Sequence, residues 1–325
     1  MTTMTLMNLT RWAIATCAAM LVPTMSAVEA TVFHTISVGA DELSAHVPKA
    51  ALRRVKPLPA TADQAAAISM TGKVSFQPVA LAPSASFRRL QIAFRARVLG
   101  EHTLEQNPLC GLAPELSNLP EYQVVARDAD GATLRTMRFR QHLLSADWRD
   151  YLLLAYLPPE ARSLEMTFLT NAAPEIHLGD IAFAWRQQDA ILHNGDFALG
   201  PHNYSGWAGF ERMGALELAD DGKTVLNTMP NGAFYTERFP LTPGQNYQVS
   251  ITWSEKPREL RVSHSFYDAG GKRIKHYTWK TPVRRKDLEP IRTSTNEFRF
   301  PEGAVTASIY IYAAIIHAVE IVPLP

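Results

Sequence analysis

Three landmarks recur in one order and at nearly one spacing along this chain of 325 residues. Asp128-Ala129-Asp130-Gly131 is answered by Asp268-Ala269-Gly270-Gly271, 140 positions on. Pro159 is answered by Pro301 at 142, and Asp180 of Gly179-Asp180-Ile181 by Glu320 of Val319-Glu320-Ile321 at 140. A long internal repeat constrains the architecture before any single element is assigned. The chain is expected to fold as two similar bodies in tandem, joined near residues 186–190.

The segments around those landmarks have the period of strands. Leu90, Ile92, Phe94, Ala96 and Val98 share one face, and Gln91, Arg95 and Arg97 the other, which is a half-buried strand. Residues 122–127, the Asp128 turn and residues 133–140 read as a hairpin. Residues 151–157, 164–169 and 176–185 complete the first body. In the second, strands are expected over 261–267, 272–279, 297–300, 305–316 and 318–322. Residues 74–79 read as a short edge strand, the alanine-rich 61–69 as one or two helical turns, and the proline-rich 100–120 as a long loop. Alternating strands, frequent turn residues and few helical patterns predict an all-β fold of two tandem antiparallel β-sandwiches of jelly-roll type.

The N-terminus reads as an export signal: Arg11, an apolar run over 12–22, and the small-x-small sequence Val28-Glu29-Ala30. The run is shorter than the roughly 20 residues of a membrane helix, and no second long apolar segment follows. The expected division is a signal peptide over 1–30, a first domain over 31–188 and a second over 189–325. The expected location is periplasmic or secreted, with no integral membrane span. Of two cysteines, Cys17 lies in the leader, so Cys110 is left without an internal disulfide partner. A net charge of +1 offers no whole-chain attraction for nucleic acid.

Leu192-His193-Asn194-Gly195-Asp196-Phe197 opens the second body. Asn-Gly is a strong turn signal, and Phe197 with Trp207 supplies large apolar area. Those residues stand with Gly206-Trp207, with Leu241-Thr242-Pro243-Gly244-Gln245-Asn246-Tyr247 and with Val319-Glu320-Ile321. On them, residues 190–325 resemble the jelly-roll carbohydrate-binding modules of the galactose-binding-like fold. The first body resembles them more weakly, over residues 85–187. The resemblance implies a polysaccharide or oligosaccharide ligand. It also implies a structural calcium held by Asp196 and Glu320, with backbone carbonyls completing an oxygen shell. Ala198-Leu199 stand where that family has an acidic residue, so a turn-stabilising Asp196 is the competing reading.

Two surfaces are candidates for the ligand. Tyr310 and Tyr312 point away from Ile309 and Ile311, while Tyr277 and Trp279 share a face of their own strand. In one sheet these four would make an aromatic platform for sugar rings; the competing reading is that one or both pairs lie in the core. Arg95 and Arg97, with Arg127, Arg138 and Arg140, suggest an arginine face for an acidic sugar, against an ordinary solvated sheet face. Trp207 and Trp253 are assigned to the core.

No nucleophile elbow, zinc-helix motif or phosphate-cradling loop occurs. A lyase would need a base beside an arginine, a role for which His264, Tyr277 and Arg261 are the available set. The reading is therefore an exported, non-catalytic carbohydrate-binding protein. The alternatives are a lyase or hydrolase acting on acidic polysaccharide, and an envelope or exopolysaccharide assembly protein whose sheets meet protein partners.

Overall fold

The computed structural model describes residues 30–36, 52–55, 67–99, 121–139, 146–170, 175–186, 190–200, 203–209, 214–228, 233–254, 259–282, 291–312 and 314–325. Residues 1–29 of the expected signal peptide, both cysteines and the expected loop over 100–120 lie outside them. Among the described residues there is no helix long and apolar enough to cross a membrane.

All regular structure described is β. The first half contains β1 (Ala30–Ile36), β2 (Leu52–Val55), β3 (Ala67–Met70), β4 (Lys73–Ser75), β5 (Val79–Ala80), β6 (Arg88–Leu99), β7 (Glu121–Arg127), β8 (Thr133–Phe139), β9 (Arg149–Leu157), β10 (Ser163–Leu169) and β11 (Glu175–Arg186). The first sheet runs β2-β3-β11-β6-β9, with β1 also on β11; the second runs β4-β10-β7-β8, with β5 on β10. The second half contains β12 (Trp207–Gly209), β13 (Gly214–Leu218), β14 (Thr224–Thr228), β15 (Ala233–Thr236), β16 (Phe239–Pro240), β17 (Asn246–Ser254), β18 (Glu259–Tyr267), β19 (Arg273–Pro282), β20 (Arg292–Arg299), β21 (Thr306–Tyr312) and β22 (Ile315–Pro323). Its third sheet runs β12-β15-β21-β18-β19, with β16 on β21, and its fourth runs β13-β14-β22-β17-β20.

Period-two alternation decides which side of each sheet is buried. In β6 the Leu90, Ile92, Phe94, Ala96 and Val98 side chains are buried, and those between are half-buried from Gln91 on. Ile92 and Phe183 of the first sheet share a cluster with Val124 and Met166 of the second. There the Phe94 ring meets Tyr122 edge-on at 5.1 Å and Phe168 at 5.6 Å. Val249, Ile251 and Trp253 of the fourth sheet share a second cluster with Val262, Phe266 and Ile311 of the third. Each such buried side chain contributes about 1.5–3 kcal/mol.

The repeat is visible in the topology. β6, β9 and β11 neighbour one another as β17, β20 and β22 do, and β7, β8 and β10 as β18, β19 and β21 do. The turns repeat atom for atom. Asp128 Oδ1 accepts the Ala132 N–H at 2.8 Å, and Asp268 Oδ1 accepts the Lys272 N–H at 2.8 Å. Gly131 and Gly271 close these turns at φ of 81° and 77°, a region that favours glycine. The proline landmark shifts by one: Ala161 N–H donates to Pro158 O as Ala304 N–H does to Pro301 O, so Pro158 rather than Pro159 corresponds to Pro301. Asp180 and Glu320 both stand exposed on the corresponding strands β11 and β22.

Three expectations are corrected. The described part of the alanine-rich stretch is strand β3, paired with β2 and β11, rather than helix. Residues 305–316 are not one strand, because the chain crosses from the third sheet to the fourth after Tyr312. Ala314 marks the crossing, its N–H donating to Thr228 Oγ1 at 2.7 Å. β20 begins at Arg292, five residues before the expected start. Its polar sequence hid it, since β20 ends its sheet and exposes alternate residues.

Residues 192–207 both enter the second core and join the halves. Phe197 and Trp207 are buried with ring centroids 5.2 Å apart. Trp207 Nε1 donates to Asn194 O at 2.9 Å. Toward the first half, His193 stacks on Tyr156 at 4.5 Å and accepts from Arg89 Nε at 2.6 Å.

Candidate functional site

On the third sheet the strand register sorts side chains between two faces. Tyr310 pairs with Ser263 and Tyr235, Tyr312 with Arg261, and Ser308 with Ser265. The intervening Phe234, Ile309, Ile311 and Val262 are buried in the core. Tyr235, Tyr310 and Tyr312 therefore stand on the side away from the core, each half-buried. Tyr235 and Tyr310 stack at 5.0 Å, and the Tyr310 hydroxyl lies 3.3 Å from that of Tyr267. Burial, then the Tyr267 hydroxyl, pushes the Tyr310 phenol far above its ordinary pKa, so it remains a neutral donor and acceptor.

Arginines cap these rings. The Arg238 guanidinium lies 3.8 Å from the Tyr267 ring centre and that of Arg261 4.8 Å from Tyr312. Both contacts are within cation–π range. Between the tyrosines of β21 and the long side chains of β19 the floor is serine. Ser263 Oγ lies 2.8 Å from Thr278 Oγ1, Ser265 Oγ 2.9 Å from His276 Nδ1, and Ser308 Oγ donates to Thr236 O at 2.7 Å. Burial lowers the His276 pKa, with the charges of Arg273 and Arg261 adding to it.

The expected four-ring platform is divided. Tyr277 and Trp279 project from β19 toward the core. Trp279 is 8% exposed and donates through Nε1 to His264 Nε2 at 3.1 Å. Tyr277 is 39% exposed at the rim, edge-on to His264 at 5.8 Å, with its hydroxyl accepting from Asn296 of the fourth sheet at 3.4 Å. Parity alone grouped Tyr277 with Trp279 correctly; only the register shows that they oppose Tyr310 and Tyr312. The same register separates the lyase set, since Arg261 and the fully buried His264 lie on opposite faces.

The expected arginine face of the first half is also divided. Arg95 and Arg97 belong to the first sheet and Arg127 to the second. The Arg138 side chain and Arg140 lie outside the described residues. The three described arginines are engaged: Arg95 with Asp150 at 3.7 Å, Arg127 with Glu165 at 3.1 Å, and Arg97 with His177 Nδ1 at 3.2 Å. Arg97 also lies 5.2 Å from the Trp148 ring centre. Behind it, His177 Nε2 meets Glu175 at 2.6 Å and Ser69 Oγ donates to Glu175 at 2.6 Å. The serine thus bonds the carboxylate and not the histidine, which is not the order of a nucleophile–base pair.

Asp196 and Glu320 both line a cleft of about 750 Å³ between the halves. Its other walls include Arg89, Leu154, Arg186, Ile191 and Val319. Asp196 Oδ1 accepts the Ala198 N–H at 3.2 Å, and Gly195 O accepts the Val319 N–H at 2.7 Å. Calcium takes six to eight oxygens, whereas no group of three or more acidic, histidine or cysteine residues gathers for a metal among the described residues. With two arginines in the same walls, these residues do not fit the calcium implied by the resemblance.

No protein-family model matches this sequence, and no curated protein does. Among solved structures, the chain is similar to the N-terminal CBM22-1–CBM22-2 tandem domain of Xyn10C from Paenibacillus barcinonensis. That likeness has 11% identity and a TM-score of 0.33, covering 91% of this chain and 97% of that one. A second is to the tandem CBM51 modules of a family 98 glycoside hydrolase from Streptococcus pneumoniae, at 8% identity and a TM-score of 0.25, over 88% of this chain and 98% of that one. A third is to the enzymatically active domain of tailspike protein 4 from bacteriophage CBA120, at 18% identity and a TM-score of 0.31, over 42% of this chain and 21% of that one.

Proposed function

We propose that the protein is an exported, non-catalytic carbohydrate-binding protein. In this reading its halves, 31–188 and 189–325, are jelly-roll sandwiches in tandem, following a signal peptide over 1–30. The binding surface is the outer face of the third sheet. One observation carries the reading: Tyr235, Tyr310 and Tyr312 stand half-buried on the side of the sheet away from the core. Large rings placed there gain little for the fold and offer flat π surface to the C–H faces of a sugar, with phenol hydroxyls as hydrogen-bonding handles. Above the buried serines, the exposed His276 and the half-buried Thr278 supply further polar groups on the same face.

Affinity electrophoresis through gels containing neutral and acidic polysaccharides tests this reading. Tyr312→Ala and Tyr235→Ala are expected to weaken retardation about tenfold or more, by analogy with the 1–3 kcal/mol of a ring stacked on an aromatic side chain. Trp279→Ala is expected instead to cost about 3–5 kcal/mol of stability, as a large core truncation does. Failure of every polysaccharide to retard the protein sinks the reading.

A further inference from the structure

The outer face of the third sheet is basic as well as aromatic. Arg261 and Lys280 are paired in register at one end, and Arg273 lies opposite Tyr267 at the other. Arg238 reaches the same end through its contact with Tyr267. His276 faces Ser265 between them. Among the described residues no carboxylate forms an ion pair with Arg238, Arg261 or Arg273. The carboxylates near this face are already engaged. Glu237 faces Arg135 of the first half at 3.5 Å, and Asp268 Oδ1 holds the Lys272 N–H. Arg95 and Arg127 of the first half, by contrast, each meet an acid. Among the described residues, arginine without an ion-pair partner is thus gathered on the face that carries the tyrosines.

A guanidinium held over a tyrosine ring is restrained by that contact, and its planar fork of N–H donors matches a carboxylate. A sugar seated on Tyr312 would have the Arg261 fork beside it. A neutral sugar has no group that needs this charge.

Resting on the carbohydrate-binding reading above, we propose that the ligand of this face is an anionic polysaccharide of the uronate class. Its rings lie on Tyr235, Tyr310 and Tyr312, and its carboxylates are received by Arg261 and Arg238. Arg261 stands over Tyr312 and Arg238 over Tyr267, so that one chain meets ring and charge at once.

The test uses the full chain in affinity electrophoresis against polygalacturonate and its methyl ester, which share a backbone and differ in charge. Xylan, dextran sulfate and a single-stranded oligonucleotide are run alongside. Polygalacturonate is expected to retard the protein at least about tenfold more strongly than the ester, and less as salt rises, since exposed charges are screened. Arg261→Gln is expected to weaken binding to polygalacturonate about tenfold, the scale of one lost charge-assisted contact. Arg238→Gln is expected to act in the same direction.

Equal binding of polygalacturonate and its ester, with Arg261→Gln like the parent, overturns the anionic assignment and leaves the carbohydrate reading standing. Stronger retention on dextran sulfate or the oligonucleotide than on polygalacturonate overturns it in favour of a general polyanion surface. No retardation by any polymer removes both.

Discussion

Arg135, on β8 of the first half, lies 3.5 Å from the Glu237 carboxylate of the second. The same guanidinium donates to Tyr156 O at 2.5 Å and to Arg238 O at 3.2 Å. The side chains are 18% and 9% exposed, so the pair is largely withdrawn from water. Burial raises the Glu237 carboxyl to about 6, with Arg135 opposing the rise. Arg135→Met strands a buried carboxylate and leaves two carbonyls without this donor. It is expected to cost about 3–5 kcal/mol, the scale for breaking a buried pair from one side. Glu237→Gln keeps an acceptor for the guanidinium and is expected to cost about 1 kcal/mol. Thermal unfolding of the two variants checks this; if Arg135→Met melts with the parent, the joint is held elsewhere.

β9 ends the first sheet, yet its outer backbone groups are not open to another chain. Ser205 Oγ accepts the Leu154 N–H at 2.5 Å. The Asn203 amide, oriented to suit its neighbours, donates to Leu152 O at 2.7 Å and accepts from Leu152 N–H at 3.1 Å. Side chains from the second half thus cover an edge that would otherwise template strand pairing. Ser205→Ala leaves the Leu154 N–H buried without this acceptor and is expected to cost about 1–3 kcal/mol. Hydrogen exchange at Leu154 is expected to accelerate more than at its core-facing neighbours. Equal protection in parent and variant would show that the serine caps nothing.

Gly206 sits under the same joint at a φ of 81°. A Cβ there would lie 2.5 Å from His193 O and 2.6 Å from His193 Cβ. Gly206→Ala is therefore expected to cost more than the roughly 1 kcal/mol of the backbone conformation alone. His193 must move, and with it the stack on Tyr156 and the bond from Arg89. The readout is the melting temperature of Gly206→Ala set against Gly131→Ala. Gly131 has the same φ but open space around its Cβ position. Equal losses in the two variants would mean that the close approach to His193 is relieved without cost.

Local chemistry was legible in the sequence, and long-range register was not. β6 and the β7–β8 hairpin announce themselves by period-two alternation and by an Asp-x-x-Gly turn whose hydrogen bonds close within five residues. Asn194-Gly195 reads as a turn for the same reason. Its role at the joint depends instead on His193 meeting Arg89, 104 residues earlier. Parity along β21 placed Tyr310 and Tyr312 opposite Ile309 and Ile311. Only the pairing of β15 and β18 onto β21 adds Tyr235 and Tyr267 to that face. The sequence leaves open whether Tyr277 and Trp279 face the core, because that is decided by Trp279 standing opposite Val262 and Tyr277 opposite His264, a polar residue inside the core. Arg97 looked free in the sequence because its partner, His177, is 80 residues away.

His264 links the core to pH. It is fully buried, edge-on to Phe298 at 4.7 Å, and its Nε2 accepts the Trp279 indole N–H at 3.1 Å. That bond requires an unprotonated Nε2, so the ring is neutral with its proton on Nδ1. Burial, aided by the charge of His276, lowers its pKa from 6.5 to about 4. Between those values the unfolded chain binds a proton that the native chain refuses, so stability falls as pH drops through that window, by about 3 kcal/mol in all. His193, pushed well below its ordinary value by burial and then by Arg89, acts in the same direction. Glu237 acts in the opposite one. Raised from 4.5 to about 6, it takes up a proton in the native state first, and regains about 2 kcal/mol as pH falls from 6 to 4.5. The parent is therefore expected to lose stability in mild acid, the two histidines together outweighing Glu237. Urea unfolding from pH 7 to pH 4 separates them. Glu237→Gln is expected to steepen the acid loss, and His264→Gln, which keeps an acceptor for Trp279, to flatten it. Parallel curves for His264→Gln and the parent would remove His264 as the titrating group.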